Sequence, residues 1–289
     1  VNDIVTIEGD GATARVALRG AELAAWSVGG APLIWTPDPA IWADTAPVLF
    51  PVVGWTRGAH VTARGKSYPL GLHGFARAMA FAVADRGPDH VRLVLGSGPE
   101  TRALYPFEFR LSVTYRLAGA TLRTQLAIEN TGDAAMPYAC GLHPGFRWPF
   151  AGGALDDYAI AFGEPERPEV PVISSDGLFT RETRPIPLEG RDLPLSADLL
   201  AREALCILDA RSRALRFAHR GGAAITIDLE SFRHIALWSR PEGRFLSIEA
   251  WTGRGDDVDA DGDLMKKPSM IHLPPGAVGR HAAVYGFES

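Results

Sequence analysis

Three features of this sequence predict an all-β fold, a large antiparallel β-sandwich. Apolar and polar residues alternate with period two in most segments, as in a strand with one wet and one dry face. Gly, Pro and Asn turn signals cut the chain at short intervals. No helical pattern runs beyond about three turns, and neither a heptad nor an internal repeat is present. Strands this numerous and this closely spaced build a sandwich of large size. The length of 289 residues admits two domains, but all-β sandwiches of this size are commonly one, so a single domain over 1–289 is expected.

Taken in order, residues 16–23 alternate as a first strand region. Residues 24–28 and 32–35 flank Gly29-Gly30, the signature of a hairpin. Residues 36–60 are irregular, broken by Pro37, Pro39, Pro47 and Pro51, and a loop this long inside a compact domain is usually functional. Residues 66–69 read as a short strand leading into GLHGFAR. Phe109, Leu111, Val113, Tyr115 and Leu117 then alternate with Arg110, Ser112, Thr114 and Arg116. After a turn at Gly119, Leu122, Thr124, Leu126 and Ile128 alternate with Arg123, Gln125 and Glu129, making an antiparallel pair. Residues 130–133 turn the chain, and 136–142 lead into HPGFRWP.

Residues 151–198 are rich in Pro, Gly and acids and read as loops and short edge strands over the sheet. Residues 196–203 hold one or two helical turns with Ser196 as N-cap. Strands resume at 204–208, 215–218, 224–229, 234–239 and 245–251, and a last one spans 282–287. Between them, 254–269 form an acidic loop. Asp257, Asp259 and Asp261 before Gly262 imitate the start of a calcium loop. The twelfth position is Pro268 where Glu is required, and no helices flank it, so a solvated surface loop is expected.

The net charge of −5 with no basic stripe argues against a nucleic-acid partner. No apolar run approaches a membrane span. The start, VNDIVTIEGDG, lacks the basic and apolar regions of a signal peptide. It also lacks Met, as a processed or trimmed start would. Cys140 and Cys206 are the only cysteines; so few in so long a chain predict free thiols and a reducing, cytoplasmic setting, with a single bridge between the two as the alternative.

Chemistry concentrates in three places. In FLSIEAWTG (245–253), Leu246, Ile248 and Ala250 make an apolar strand face, while Phe245, Ser247, Glu249 and Trp251 make the other. Burying a carboxylate among rings raises its pKa toward that of a useful base, and rings beside a lone acid suit a sugar. The plain alternative is an exposed strand with a surface Glu. His73 in GLHGFAR and His143 in GLHPGFRWP each follow Gly-Leu and precede Gly or Pro, a context that presents an imidazole at a sheet rim. Either one alone reads equally as a hydrogen-bonded structural His. Three readings of His73, His143 and Glu249 compete: acid–base catalysis on a small polar ring, a zinc site without the paired-His helix spacing, and no convergence at all. No GxSxG or Cys–His arrangement supplies a nucleophile, and glycosidase chemistry wants a second carboxylate.

PVLFPVVGW (47–55), LHGFAR (72–77), GLHPGFRWP (141–149) and FLSIEAWTG (245–253), in this order, resemble the aldose 1-epimerase (galactose mutarotase-like) family. DLMKKPSMIHLPPG (263–276) is similar to the family's end, so the likeness spans roughly residues 1–287. The resemblance implies a galactose mutarotase-like supersandwich, a sugar pocket on one concave sheet, a small-molecule sugar as partner, and no metal or organic cofactor. It implies Glu249 as base, His143 as the acid that protonates the ring oxygen, and His73 as the histidine that holds and polarises the sugar. Arg77 matches an arginine that contacts substrate or supports the site. Two positions depart from the family pattern: Trp55 stands where relatives carry Arg, with Arg57 nearby, and Glu203 stands where relatives often have a substrate-binding Asp. Both, with Trp251, are expected substrate contacts. Open alternatives are a hexose-6-phosphate mutarotase and a carbohydrate-binding protein without turnover.

Overall fold

The computed structural model of the chain describes residues 4–289. Nine antiparallel strands form the larger sheet, in the order Asp192–Pro194, Tyr158–Phe162, Ala214–His219, Ala224–Leu229, Val278–Glu288, Thr121–Asn130, Phe109–Ala118, His90–Gly96 and Ala82–Arg86. A smaller sheet runs Leu205–Ile207, His234–Trp238, Phe245–Trp251, Gly141–Leu142 and Val48–Leu49, with Gly145–Arg147 added beside Phe245–Trp251. A third sheet holds Ile4–Gly9, Ala12–Ala17, Leu23–Val28 and Ala31–Pro32. Among the described residues the α-helices are single turns, Pro99–Arg102 and Ala197–Leu200, and none is long and apolar enough to cross a membrane.

The alternating pair behaves as its pattern dictates. Phe109 pairs with Asn130 and Ala118 with Thr121, around a turn at Gly119. Phe109, Leu111, Val113, Tyr115 and Leu117 are buried on one strand and Leu122, Thr124, Leu126 and Ile128 on the other. Ser196 caps its helical turn, its Oγ accepting from Leu199 N–H at 3.2 Å. Both cysteines are free and buried. The carboxylates of the acidic loop face cations of the chain: Asp257 meets Arg254, Asp259 meets Arg181, and Asp261 and Asp263 meet Lys266.

Two expectations at the N-terminal end need correction. Residues 16–23 are not one strand. Gly20 and Ala21 both take positive φ, and Ala17 N–H closes the bend on Glu22 C=O at 2.8 Å. Residues 32–35 also leave their hairpin early, after Leu33, whose N–H donates to Trp26 C=O at 2.9 Å. Trp35 N–H donates to Gly145 C=O and Arg147 N–H to Leu33 C=O, both at 2.8 Å, which ties the third sheet to the smaller one. Ala82–Arg86 escapes period-two reading because all five residues are exposed at a sheet edge, with no dry face to pattern them.

Candidate active site

Phe245–Trp251 is the middle of the smaller sheet, paired with His234–Trp238 on one edge and with Gly141–Leu142 and Gly145–Arg147 on the other. All seven of its residues are buried, and Glu249 is 3% exposed. Glu249 is not an exposed surface acid. Trp251 Nε1–H donates to its Oε2 at 2.9 Å, and His143 Nε2 lies 3.2 Å from its Oε1.

His143 occupies the break between Gly141–Leu142 and Gly145–Arg147. Its Nδ1 lies 2.9 Å from Ser247 Oγ, which also reaches Pro144 C=O at 3.2 Å. If Ser247 gives its proton to that carbonyl, its oxygen accepts from Nδ1–H. The hydrogen-bond pattern thereby assigns the neutral ring a lone pair on Nε2, facing Glu249.

His73 comes from the loop after Lys66–Pro69. Its φ is +61°, and Gly74 follows at +70°. A Cβ on Gly74 would lie 2.3 Å from Phe50 O, so this turn needs glycine. Gly54 holds His73 twice: its C=O accepts His73 N–H at 2.9 Å and its N–H donates to Nδ1 at 3.1 Å. The His73 and His143 rings meet edge-on with centroids 5.3 Å apart. The three residues therefore do converge, with ligand atoms within 4.8 Å of one another. The donor set suits a metal ion poorly. A ligating histidine normally sends its other N–H away from the ion. His73 instead accepts an N–H on Nδ1, which leaves the proton of its neutral ring on Nε2.

Burial raises the Glu249 carboxyl well above the usual carboxylate range, the Trp251 bond opposing in part. Burial pushes His143 down to about 3, with the Arg77 charge adding to it. Burial also pushes His73 well down, helped by His143 and Arg77. Arg77 thus stands close enough to act on both imidazoles, and Asp44 Oδ2 holds its Nη1 at 3.1 Å. Glu22 sets that segment by accepting from Thr45 and Ala46 N–H at 2.6 and 2.8 Å.

The remaining expected contacts lie differently. Trp251 is 4% exposed, and its N–H is engaged by Glu249. It reaches the site through the carboxylate instead of offering an open face. Glu203 is ion-paired with Arg184, Nε to Oε1 2.5 Å. Trp55 is 40% exposed in an outer cleft whose lining includes none of the three central residues.

Sequence reasoning missed one member of the aromatic wall. Trp42, from the irregular 36–60 segment, has its ring 5.3 Å from His143, 5.3 Å from Trp238 and 4.8 Å from Phe245. The length of that segment was its only signal.

The sequence model of the aldose 1-epimerase family matches residues 3–233, a stretch that holds His73 and His143. The plasmid-encoded protein LacX of Lactococcus lactis subsp. lactis is 30% identical over 258 residues, 85% of this chain and 86% of LacX. A galactose mutarotase related enzyme from Lactobacillus acidophilus superposes with a TM-score of 0.91 at 29% identity, covering 99% of this chain and 97% of that one. A galactose mutarotase-like protein from Lactobacillus casei gives 0.91 at 28% identity, covering 99% and 100%. The two solved structures share the fold over 99% of this chain, and the family model covers most of its length, so the chain belongs to the aldose 1-epimerase family.

Proposed function

We propose that the chain is an aldose 1-epimerase (mutarotase), interconverting the α and β anomers of a hexose by opening and closing its ring. The observation that carries the reading is the 3.2 Å contact between His143 Nε2 and Glu249 Oε1, with His73 alongside. Burial drives both partners toward their neutral forms, so the pair holds one proton that can sit on either side.

That single proton suits the chemistry. With the proton on His143, Glu249 is a carboxylate that takes the proton of the anomeric hydroxyl while His143 gives its own to the ring oxygen. The C1–O5 bond breaks, C1 becomes a carbonyl, and the pair is left as neutral acid and neutral imidazole. Rotation about C1–C2 exposes the other carbonyl face. The reverse transfers close the ring as the other anomer and restore the starting pair. In this reading His73 Nε2–H and Arg77 hold the sugar oxygens. No covalent intermediate forms, and each positioned group is worth roughly 10²–10⁴ in rate.

A pure sugar-binding protein would gain nothing from an acid and a base in direct contact. The experiment is α/β exchange of glucose and galactose, followed by polarimetry or exchange NMR at neutral pH. Anomer exchange no faster with protein than without it, for every aldose tried, would remove this reading.

A further inference from the structure

We infer that His234 and Arg184 form the far end of the sugar site, where His234 donates to the 2-hydroxyl and Arg184 to the 3-hydroxyl, and so read the configuration of the sugar; this rests on the mutarotase reading. Strand register places them. Cys206 pairs with Ala236 and Ala236 with Glu249, so the three form one row across a single face of the smaller sheet. His234 pairs with Trp251, two residues beyond Glu249, and shares that face. The row from Glu249 to Cys206 spans two strand spacings, about 10 Å, and Ala236 and Cys206 add little bulk along it.

Both side chains carry a donor that the protein leaves unused. His234 is 6% exposed, and its Nδ1 accepts Asp209 N–H at 2.9 Å. Burial holds the ring down at about 4, with the Asp209 charge opposing and those of Arg233 and Arg254 adding. It is therefore neutral at pH 7, with its proton on Nε2. The described hydrogen bonds give that N–H no acceptor. Arg184 commits Nε to Glu203 Oε1 at 2.5 Å, while its Nη2 is buried without a partner. Among the described residues Trp26 Nε1 is the only other buried side-chain nitrogen in that condition. A buried donor of a charged group is costly to leave unpaired, so an acceptor belongs beside it. Arg184 stands at the Cys206 end of the row: burial raises the Cys206 thiol, and the charges of Glu249, Glu203, Arg254 and Arg184 act on it too. Arg254 acts on Cys206 and on His234 alike, which brings the two unused donors to the same end of the face.

The connectivity of the sugar decides which oxygen meets which donor. O5 and C2 are both bonded to C1. With O5 at His143 in the proposed ring opening, C2 points the other way along the row, over Ala236, and C3 lies further on, toward Cys206. The 2-hydroxyl then falls to His234 and the 3-hydroxyl to Arg184. Glu203 balances the Arg184 charge, so the pair suits a neutral hydroxyl and offers a dianion no net attraction.

The test measures kcat/KM for anomer exchange of glucose, 2-deoxyglucose and 3-deoxyglucose in the wild type, His234→Phe and Arg184→Lys; the lysine keeps an ion pair for Glu203. Each variant should lose about tenfold on glucose, the size of one hydrogen bond. His234→Phe should lose as much on 3-deoxyglucose and almost nothing on 2-deoxyglucose, and Arg184→Lys the reverse. A loss equal for all three sugars, as a merely structural role would give, or no loss at all, overturns the inference and leaves the mutarotase reading intact. Calorimetric binding of 1,5-anhydroglucitol, which has no anomeric hydroxyl and cannot mutarotate, separates the two readings. Binding should weaken about tenfold in both variants. No binding to the wild type, or binding unchanged in the variants, overturns the inference whatever the exchange activity.

Discussion

His143 sits directly across from Glu249. The register that pairs Gly141 with Trp251 and Gly145 with Ser247 leaves His143 opposite the carboxylate, in the gap between two short strands. Side chains at opposed positions on one sheet face lie close enough to touch, and these two meet at 3.2 Å. The two side chains are thus positioned by strand pairing, on a sheet.

Glu249→Gln keeps the shape of the base and removes its basicity. Loss of at least about a hundredfold in kcat is expected, with sugar binding largely retained. His143→Asn should likewise act mainly on kcat. Steady-state exchange kinetics and calorimetric binding check both, and unchanged exchange in Glu249→Gln would remove the carboxylate from the mechanism.

The same variant should fold more stably, in a defined pH window. Unfolded Glu249 ionises near its ordinary value of 4.5, but the buried group stays protonated until a much higher pH. As pH rises from 4.5 toward the raised folded pKa, the unfolded chain gains and the fold loses. Gln does not titrate, so the melting temperature of Glu249→Gln should overtake that of the wild type as pH goes from 5 to 8. His143 has the opposite sign. Its folded pKa is about 3 against 6.5 unfolded, so it costs stability as pH falls below 6.5, and His143→Asn should gain on the wild type there. Thermal unfolding across pH 5 to 8 decides both.

Activity should follow the one-proton state of the pair. A second proton enters only near the lowered His143 value of about 3, so kcat/KM should not fall between pH 7 and 5.5, where an ordinary imidazole would already be titrating. The alkaline limb belongs to Glu249 and lies above 4.5. A loss of activity centred near pH 6.5 would show His143 titrating as a solvent-exposed ring.

The sequence carried the parts of the site that are local. Glu249 stands out because a strand face with one acid among rings is unusual in seven residues, and the two histidines because Gly-Leu-His recurs. The sandwich is legible in 109–117 and 122–129 because each strand has one wet and one dry face. What was not legible is set by distant pairing. Trp42 lies in a segment without periodicity, and only its contact with His143, Trp238 and Phe245 gives it a role. Ser247 was visible as a small hydroxyl, but its bond to His143 depends on the register across the sheet. Full burial of Glu249 follows from neighbours on both edges of its strand, which no single stretch of sequence displays.

Ser247→Ala tests that register-dependent bond. It removes the acceptor for His143 Nδ1–H without touching Glu249, so the imidazole loses its fixed tautomer. The expected result is a lower kcat with KM little changed, a smaller loss than in His143→Asn, and substantial recovery in Ser247→Thr, which restores the hydroxyl. Exchange kinetics on the three variants check the order, and a Ser247→Ala enzyme as fast as the wild type would leave the bond without a catalytic role.

A neutral aldose should be preferred over its 6-phosphate. In the proposed ring-opening step His143 meets the ring oxygen, so the carbon that bears C6 would lie next to it. What surrounds His143 there is Trp42 and Trp238, with ring centroids 5.3 and 5.7 Å away. Apolar rings suit C–H groups and a small hydroxymethyl arm; a phosphate dianion needs free arginines or lysines. Three arginines are already held by acids: Arg77 by Asp44, Arg184 by Glu203, and Arg254 by both oxygens of Asp257. Arg57, Arg147, Arg240 and Arg244 have no ion-pair partner among the described residues, and Arg57 lies in the outer cleft beside Trp55. Arg147 is four residues beyond His143, about 13 Å of strand, with Trp42 bridging His143 and Phe245 on the way. Arg240 packs over the Trp238 ring, 5.5 Å from its centroid. Comparison of kcat/KM for glucose and galactose with their 6-phosphates should favour the neutral sugars. A hundredfold preference for a phosphate, abolished by Arg240→Ala or Arg147→Ala, would show that these arginines converge on the ligand and that the aromatic wall opens to admit it.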